Sequence, residues 1–305
     1  MPAPRRLTIA SRRVAPASWQ AEQVRQRLAE LYPGMSLSLL ALEDRGDGER
    51  TSANERAAMI KALEAAIAEG RADLAVHALK NLPAELPRGF TIAGITARED
   101  PRDAFVSRRF ASLDEMPPGA VVGTSSLRRH AQLRERHPSL AVKPLRGDIE
   151  ARLRALDAGR CDALIVAAAS LKRAGHASRI GSLLEPDESL PAPGQGALAI
   201  ECRSDRRDLV AALAPLSDRA TLLATAAERA FSRGLGGARE RAVAAYATWE
   251  EGTLWLRGLV ASADGKDVLR AERDAPVDDI EGAERLGGAM ADDLLARGAS
   301  RLLAS

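Results

Sequence analysis

The chain has 305 residues, more than the roughly 100–200 of one domain, so two or three compact units are expected. With 46% hydrophobic and 28% charged residues, and no apolar run near the roughly 20 residues of a membrane span, the composition predicts a soluble globular protein with no membrane partner. A net charge of +2 and 3% aromatic residues supply neither the field nor the stacking surface of a nucleic-acid binder. Leu7–Ala10 reads as a strand, and a helix is expected from Pro16 to Leu31 with Val24, Leu28 and Leu31 on one face. Leu37 to Leu42 is the next strand. Met59, Ile60, Leu63 and Ile67 have the spacing of an amphipathic helix ending at Gly70, and Asp73 to Leu79 closes a βαβαβ start.

The charged, Pro-containing run of residues 98–103 lies in a stretch, Ala97 to Phe110, where no continuous element is expected. A second α/β unit follows. Val121-Val122 enters Gly123-Thr124-Ser125-Ser126 and a helix through Leu133; Ala141 to Leu145 is a strand; Asp148 caps a helix carrying Ile149, Leu153 and Leu156; and Cys161 to Ala169 is a strand. Residues 191–196 form a rigid turn before the strand Ala197 to Glu201. The last hundred residues read as α+β: a helix from Asp218 to Arg233, three antiparallel strands at 242–247, 254–260 and 268–273, and a helix from Asp278 to Arg297.

The short apolar stretch at the N-terminus is no signal-peptide core, which predicts a cytoplasmic protein. Cys161 and Cys202 sit in apolar runs and read as buried thiols; the four histidines are dispersed, so no zinc centre is expected. Five lysines stand against 39 arginines. Thr124, Ser125 and Ser126, with Arg128 and Arg129 a turn later, form a strand-to-helix turn that either attracts an anion or is simply a capped helix. Arg146 and Arg152 flank a second such turn, and Arg152 is equally read as a helix pair with Asp148. In a doubly wound sheet both turns share one edge and would face a crevice suited to a polycarboxylate. Lys80 and Asn81 stand at a strand end, His77 reads as a core histidine, and Arg12-Arg13 as solvated charge.

AVHALKNLP (75–83), REDPRDAFVS (98–107), VGTSSLRR (122–129), LRGDIEARL (145–153), LKRAG (171–175), LPAPGQGALAIECR (190–203) and LWLRGLV (254–260) closely resemble porphobilinogen deaminase, also called hydroxymethylbilane synthase, nearly end to end. The resemblance implies two periplasmic-binding-protein-like (type II) α/β domains, residues 1–96 with 197–214 and residues 97–196, plus a C-terminal α+β domain, 215–305, with a small antiparallel sheet. It implies a monomeric enzyme that joins four porphobilinogen molecules with loss of ammonia in tetrapyrrole biosynthesis, on a covalent two-pyrrole primer, the dipyrromethane cofactor. It further implies that Arg12, Arg128, Arg129, Arg146, Arg152, Arg173 and Gln195 bind the carboxylates of cofactor and substrate, with Thr124, Ser125 and Ser126 as donors and Lys80 at the catalytic position.

The chain departs from that pattern at three places. Ala238 stands where the family has its cofactor-attaching cysteine, and Asn81 where it has its catalytic aspartate. The Gly- and Lys-rich loop is replaced by residues 48–59, and Val14 and Arg239–Ala242 also differ. Covalent cofactor attachment is therefore not expected. Two readings follow: a pseudoenzyme that retains a cleft for porphobilinogen or an oligopyrrole, or an active hydroxymethylbilane synthase using a noncovalent primer.

Overall fold

The computed structural model describes residues 3–13, 15–42, 52–237 and 241–304. By contact the chain divides into two compact units, Met1–Arg98 with Ala197–Leu222, and Glu99–Gly196 with Leu223–Ser305.

In the first unit, strands β1 (Arg6–Arg12), β2 (Ser36–Leu42), β3 (Leu74–Ala78) and β4 (Phe90–Ile95) join β10 (Leu198–Arg203) in the order β2-β1-β3-β10-β4. Only β10 runs against its neighbours. Both faces are covered, which is why these strands read as near-continuous apolar runs. Leu7, Ile9, Leu74, Val76 and Ile200 pack with Val24 and Leu28 of helix α1 (Ala15–Leu31) and with Leu209 and Leu213 of α6 (Arg207–Leu213). On the other face Ala10 and Ala75 meet Met59, Leu63 and Ile67 of α2 (Ser52–Ala68). Leu31 departs from the expected helix face: it is 41% exposed, and Ala21 is buried on that face one turn before Val24. Strand β4 had no signal of its own, because its pairing with β10 spans more than a hundred residues.

The second unit contains a sheet of the same design. Strands β5 (Asp103–Ser107), β6 (Val121–Gly123), β7 (Ala141–Lys143), β8 (Ala163–Ala167) and β9 (Ser182–Leu184) are ordered β7-β6-β8-β5-β9, with β5 the antiparallel member. Helix α3 (Leu127–Arg136) covers one face through Leu133; α4 (Ile149–Asp157) and α5 (Ala168–Arg173) cover the other through Leu153, Leu156 and Leu171. Strand β5 corrects the expectation of an irregular stretch at 97–110. Its ladder to β8 and β9 overrides the breaking effect of the charges before it, as tertiary pairing commonly overrides local propensity. The expected strand 161–169 likewise ends at Ala167, where the chain turns directly into α5.

The same unit carries the predicted α+β portion. A meander of β11 (Ala242–Glu250), β12 (Thr253–Ala261) and β13 (Val268–Pro276) packs on α7 (Arg219–Gly234), α8 (Ile280–Ala296) and α9 (Ala299–Ala304) around Phe231, Leu256, Met290 and Leu294. Backbones approach closely here. A Cβ at Gly258 would lie 2.7 Å from Phe231 Cζ, and one at Gly287 would collide with the Ala227 carbonyl oxygen. Thus the molecule is mixed α/β with a small C-terminal antiparallel sheet. No single helix among the described residues is long and apolar enough to cross a membrane.

Candidate functional site

Because β6 and β7 are parallel neighbours, the turns after them emerge at one edge of the sheet. A Cβ at Gly123 would come within 2.9 Å of the Leu164 side chain, so a larger residue where the turn begins would have to push that buried side chain aside. Thr124 donates its backbone N–H to the Lys143 carbonyl at 3.0 Å, and the Ser125 hydroxyl donates to the Leu145 carbonyl at 2.6 Å. The Ser126 side chain caps α3 by accepting the Arg129 N–H. The two turns are thus tied together by their own polar groups. At the second, Gly147 has φ +102°, Asp148 caps α4 at the Ala151 N–H, and Arg152 Nε donates to the Gly147 carbonyl at 2.9 Å. The side chains of Arg146 and Lys143 are exposed and make no hydrogen bond or ion pair among the described residues.

Arg128 and Arg129 sit differently. Both are buried and converge on Asp103, the fully buried first residue of β5. Arg128 Nη2 donates to Oδ2 at 2.8 Å and Arg129 Nη2 to Oδ1 at 2.7 Å; Ser189 and Gln195 complete the carboxylate at 2.8 Å each. The remaining terminal nitrogens reach backbone carbonyls, Arg128 Nη1 to Leu190 at 2.5 Å and Arg129 Nη1 to Ile165 at 3.1 Å. Burial alone would raise the Asp103 pKa, yet the two guanidiniums and their hydrogen bonds hold it far below the usual carboxylate range. Burial pulls Arg128 down. Gln195, whose Nε2 also donates to the Pro101 carbonyl, belongs to the same centre. These three predicted ligand contacts therefore share an internal anion that the sequence did not single out. Its available signal was an acid immediately ahead of the apolar run Ala104–Val106.

Arg173, at the end of α5, is buried and donates to the Gly196 carbonyl at 2.6 Å. Burial lowers its pKa to about 10 against the opposing field of Glu99. Glu99 in turn accepts from Lys172 at 2.8 Å, which keeps it ionised below its ordinary value.

In the first unit, β1 and β3 are parallel, so Arg12 at the end of one and Lys80 and Asn81 after the other occupy the same sheet edge. Lys80 and Asn81 form a short 3-10 turn, Leu79–Asn81, anchored by the Leu79 N–H on the Ala197 carbonyl at 3.0 Å. His77 is buried, as expected, but it has company. Its Nε2 lies 2.9 Å from Oε2 of the fully buried Glu201. Glu64 of α2, also buried, has its pKa raised by burial and then by the charge of Glu201. Neither acid was singled out from the sequence, although each is a charge inside an apolar run.

Helix α7 holds a further buried acid. Glu228 accepts the Gly194 N–H at 2.6 Å and the Ala247 N–H at 2.8 Å, fastening the 191–196 turn to β11. Beyond α7, Gly236 and Gly237 take φ of +76° and +94°. Ala238, Arg239 and Glu240 lie outside the described residues, as do Val14 and the part of the altered loop at residues 48–51. Both cysteines are buried and unpaired. Burial pushes the Cys202 thiol up to about 11 and raises that of Cys161.

A family profile described as "Porphobilinogen deaminase, dipyromethane cofactor binding domain" matches residues 7–211, and one described as "Porphobilinogen deaminase, C-terminal domain" matches residues 222–296. A porphobilinogen deaminase of Paraburkholderia phytofirmans is 53% identical over 300 residues, covering 97% of this chain and 88% of its own. One from Burkholderia thailandensis is 51% identical over 304 residues, covering 98% and 92%. Among solved structures, a periplasmic substrate-binding protein of an ABC transporter from Coxiella burnetii gives a TM-score of 0.45 at 16% identity, covering 71% of this chain and 94% of that one.

Proposed function

The chain belongs to the porphobilinogen deaminase family, and from that premise we propose that it binds carboxylated pyrroles, porphobilinogen or a linear oligopyrrole, without using a covalently attached dipyrromethane primer. The observation that carries this reading is the state of its sulfur. A thioether tether needs a thiolate, position 238 is alanine, and the only two cysteines are buried thiols held protonated. The residues present therefore do not fit a covalent dipyrromethane, and no step runs through one.

Asn81 points the same way. An amide offers a hydrogen-bonding oxygen but no charge to set against a cationic intermediate, and loss of such an electrostatic partner costs about 10²–10³ in rate. Carboxylate recognition does not depend on either position. Arg146, exposed beside the Thr124–Ser126 turn, has a guanidinium available for bidentate pairing, and Lys143 adds a second cation at that edge. Arg12, Lys80, Arg152 and Arg173 are the remaining candidates for ligand contact. Arg128, Arg129 and Gln195 would act on the ligand through the Asp103 centre, which sets the geometry of the turn.

Two measurements on the purified chain test this. Intact mass spectrometry after incubation with porphobilinogen is expected to return the unmodified mass, and calorimetry is expected to give binding of porphobilinogen at least tenfold tighter than of succinate. A two-pyrrole adduct or steady consumption of porphobilinogen would establish instead an active synthase with its own primer. Equal, weak binding of both compounds would remove the pyrrole site altogether.

A further inference from the structure

We propose that Lys172 is a positioning residue for ligand recognition: by pairing with the Glu99 carboxylate it keeps that acid off Arg173, leaving the Arg173 guanidinium to meet a carboxylate of the bound pyrrole. This role rests on the pyrrole reading above, in which Arg173 is a candidate ligand contact. Lys172 and Arg173 are consecutive residues in the last turn of α5, yet they end in different surroundings. The Lys172 side chain is half-exposed, with Nζ 2.8 Å from Glu99 Oε1 and 3.7 Å from Asp100 Oδ2. Arg173 is buried.

A single oxygen brings Glu99 and Arg173 together. The Gly196 carbonyl accepts the Glu99 backbone N–H at 3.3 Å and Arg173 Nη2 at 2.6 Å. Glu99 is thus fixed at its backbone beside the guanidinium, while its carboxylate is turned to Lys172 and to the Asp100 N–H, the latter at 2.9 Å. A neutral carbonyl orients a guanidinium without cancelling its charge. A carboxylate at the same place would cancel it and occupy the fork that a ligand carboxylate needs.

The neighbouring charges leave Glu99 to these two cations. Asp100 accepts Arg102 Nε and Nη2 at 3.0 Å each, and Glu185 accepts Arg102 Nη1 at 2.5 Å, so Arg102 is engaged by two other acids. The positive fields at the Glu99 carboxylate come from Lys172 and then Arg173. Loss of the lysine charge therefore turns Glu99 toward the buried arginine, where low hydration strengthens the attraction. The Lys172–Glu99 pair itself is half-exposed on both sides and contributes little to stability.

Four isotopically labelled full-length chains separate this role from a merely structural one: the parent, Lys172→Met, Lys172→Met combined with Glu99→Gln, and Lys172→Arg. Thermal unfolding confirms that each is folded. The first readout needs no ligand. The Arg173 Nε–Hε resonance, assigned by its loss in Arg173→Lys, is expected to move in Lys172→Met, to move back toward the parent position in the double variant, and to stay in place in Lys172→Arg. A structural ion pair would be lost in Lys172→Met and in the double variant alike, so Glu99→Gln would restore nothing. The second readout is calorimetry: Lys172→Met is expected to bind porphobilinogen about fivefold more weakly than the parent, with affinity recovered in the double variant. An Arg173 resonance unmoved in Lys172→Met, or displaced equally in the double variant, would overturn the proposal, as would unchanged affinity of Lys172→Met beside a parent that binds. If no chain binds porphobilinogen, the pyrrole reading falls and the ligand-free resonance alone decides whether Lys172 holds Glu99 off Arg173.

Discussion

Asp103 takes four donors on its two oxygens, from Arg128, Arg129, Ser189 and Gln195, and among the described residues it is the one acid paired with these two buried guanidiniums. Asp103→Asn removes the charge and turns an NH₂ toward one pair of those donors. Breaking a buried ion pair from one side costs about 3–5 kcal/mol, and urea unfolding of the variant should show a loss of that order. Its folded pKa is depressed, so its stabilising contribution is present above the ordinary carboxylate value and disappears only as the pH falls into strong acid. Glu64 has the opposite sign. A raised folded pKa favours the folded state at low pH, and that advantage is lost as the pH rises through it. Glu64→Gln should therefore raise the urea midpoint at pH 7–8 while leaving it unchanged near pH 4.

At the scale of elements, Glu228 of α7 ties the 191–196 turn to β11. Glu228→Ala would leave the Gly194 and Ala247 N–H groups buried without acceptors. At about 1–3 kcal/mol for each unsatisfied group, the expected loss is roughly 2–6 kcal/mol, measurable by thermal unfolding. Gly287→Ala puts a methyl against the Ala227 carbonyl where α8 crosses α7, an overpacking worth about 1–3 kcal/mol. Asp148→Ala loses only the cap on Ala151, about 1 kcal/mol. The cap was legible in the sequence because capping is local: an acid ahead of an amphipathic run. The roles of Glu228 and Asp103 were not, since Glu228 holds an N–H 34 positions away and Asp103 takes a donor from 92 positions away. Strand β5 was obscured for the same reason, its ladder lying 55 or more residues downstream.

At the scale of the whole molecule, Arg146→Ala should weaken porphobilinogen binding by calorimetry at least tenfold without altering the unfolding midpoint, because no partner within the described residues is lost with it. Ala238→Cys tests the missing sulfur directly: the variant is expected to gain a two-pyrrole mass increment with porphobilinogen, whereas the parent chain stays unmodified.

Sequence alone determined the family, the alternation of helices and strands, and the presence of alanine at 238 and asparagine at 81, because side-chain chemistry and short-range periodicity are written residue by residue. Tertiary structure decided which arginines remain available. Arg128 and Arg129 look like Arg146 in the sequence, yet folding brings Asp103 beneath the first two and leaves the third exposed. The physical reason is that a buried guanidinium must find an anion or carbonyls inside the protein, and which ones it finds is fixed by strands that meet only after the chain has folded.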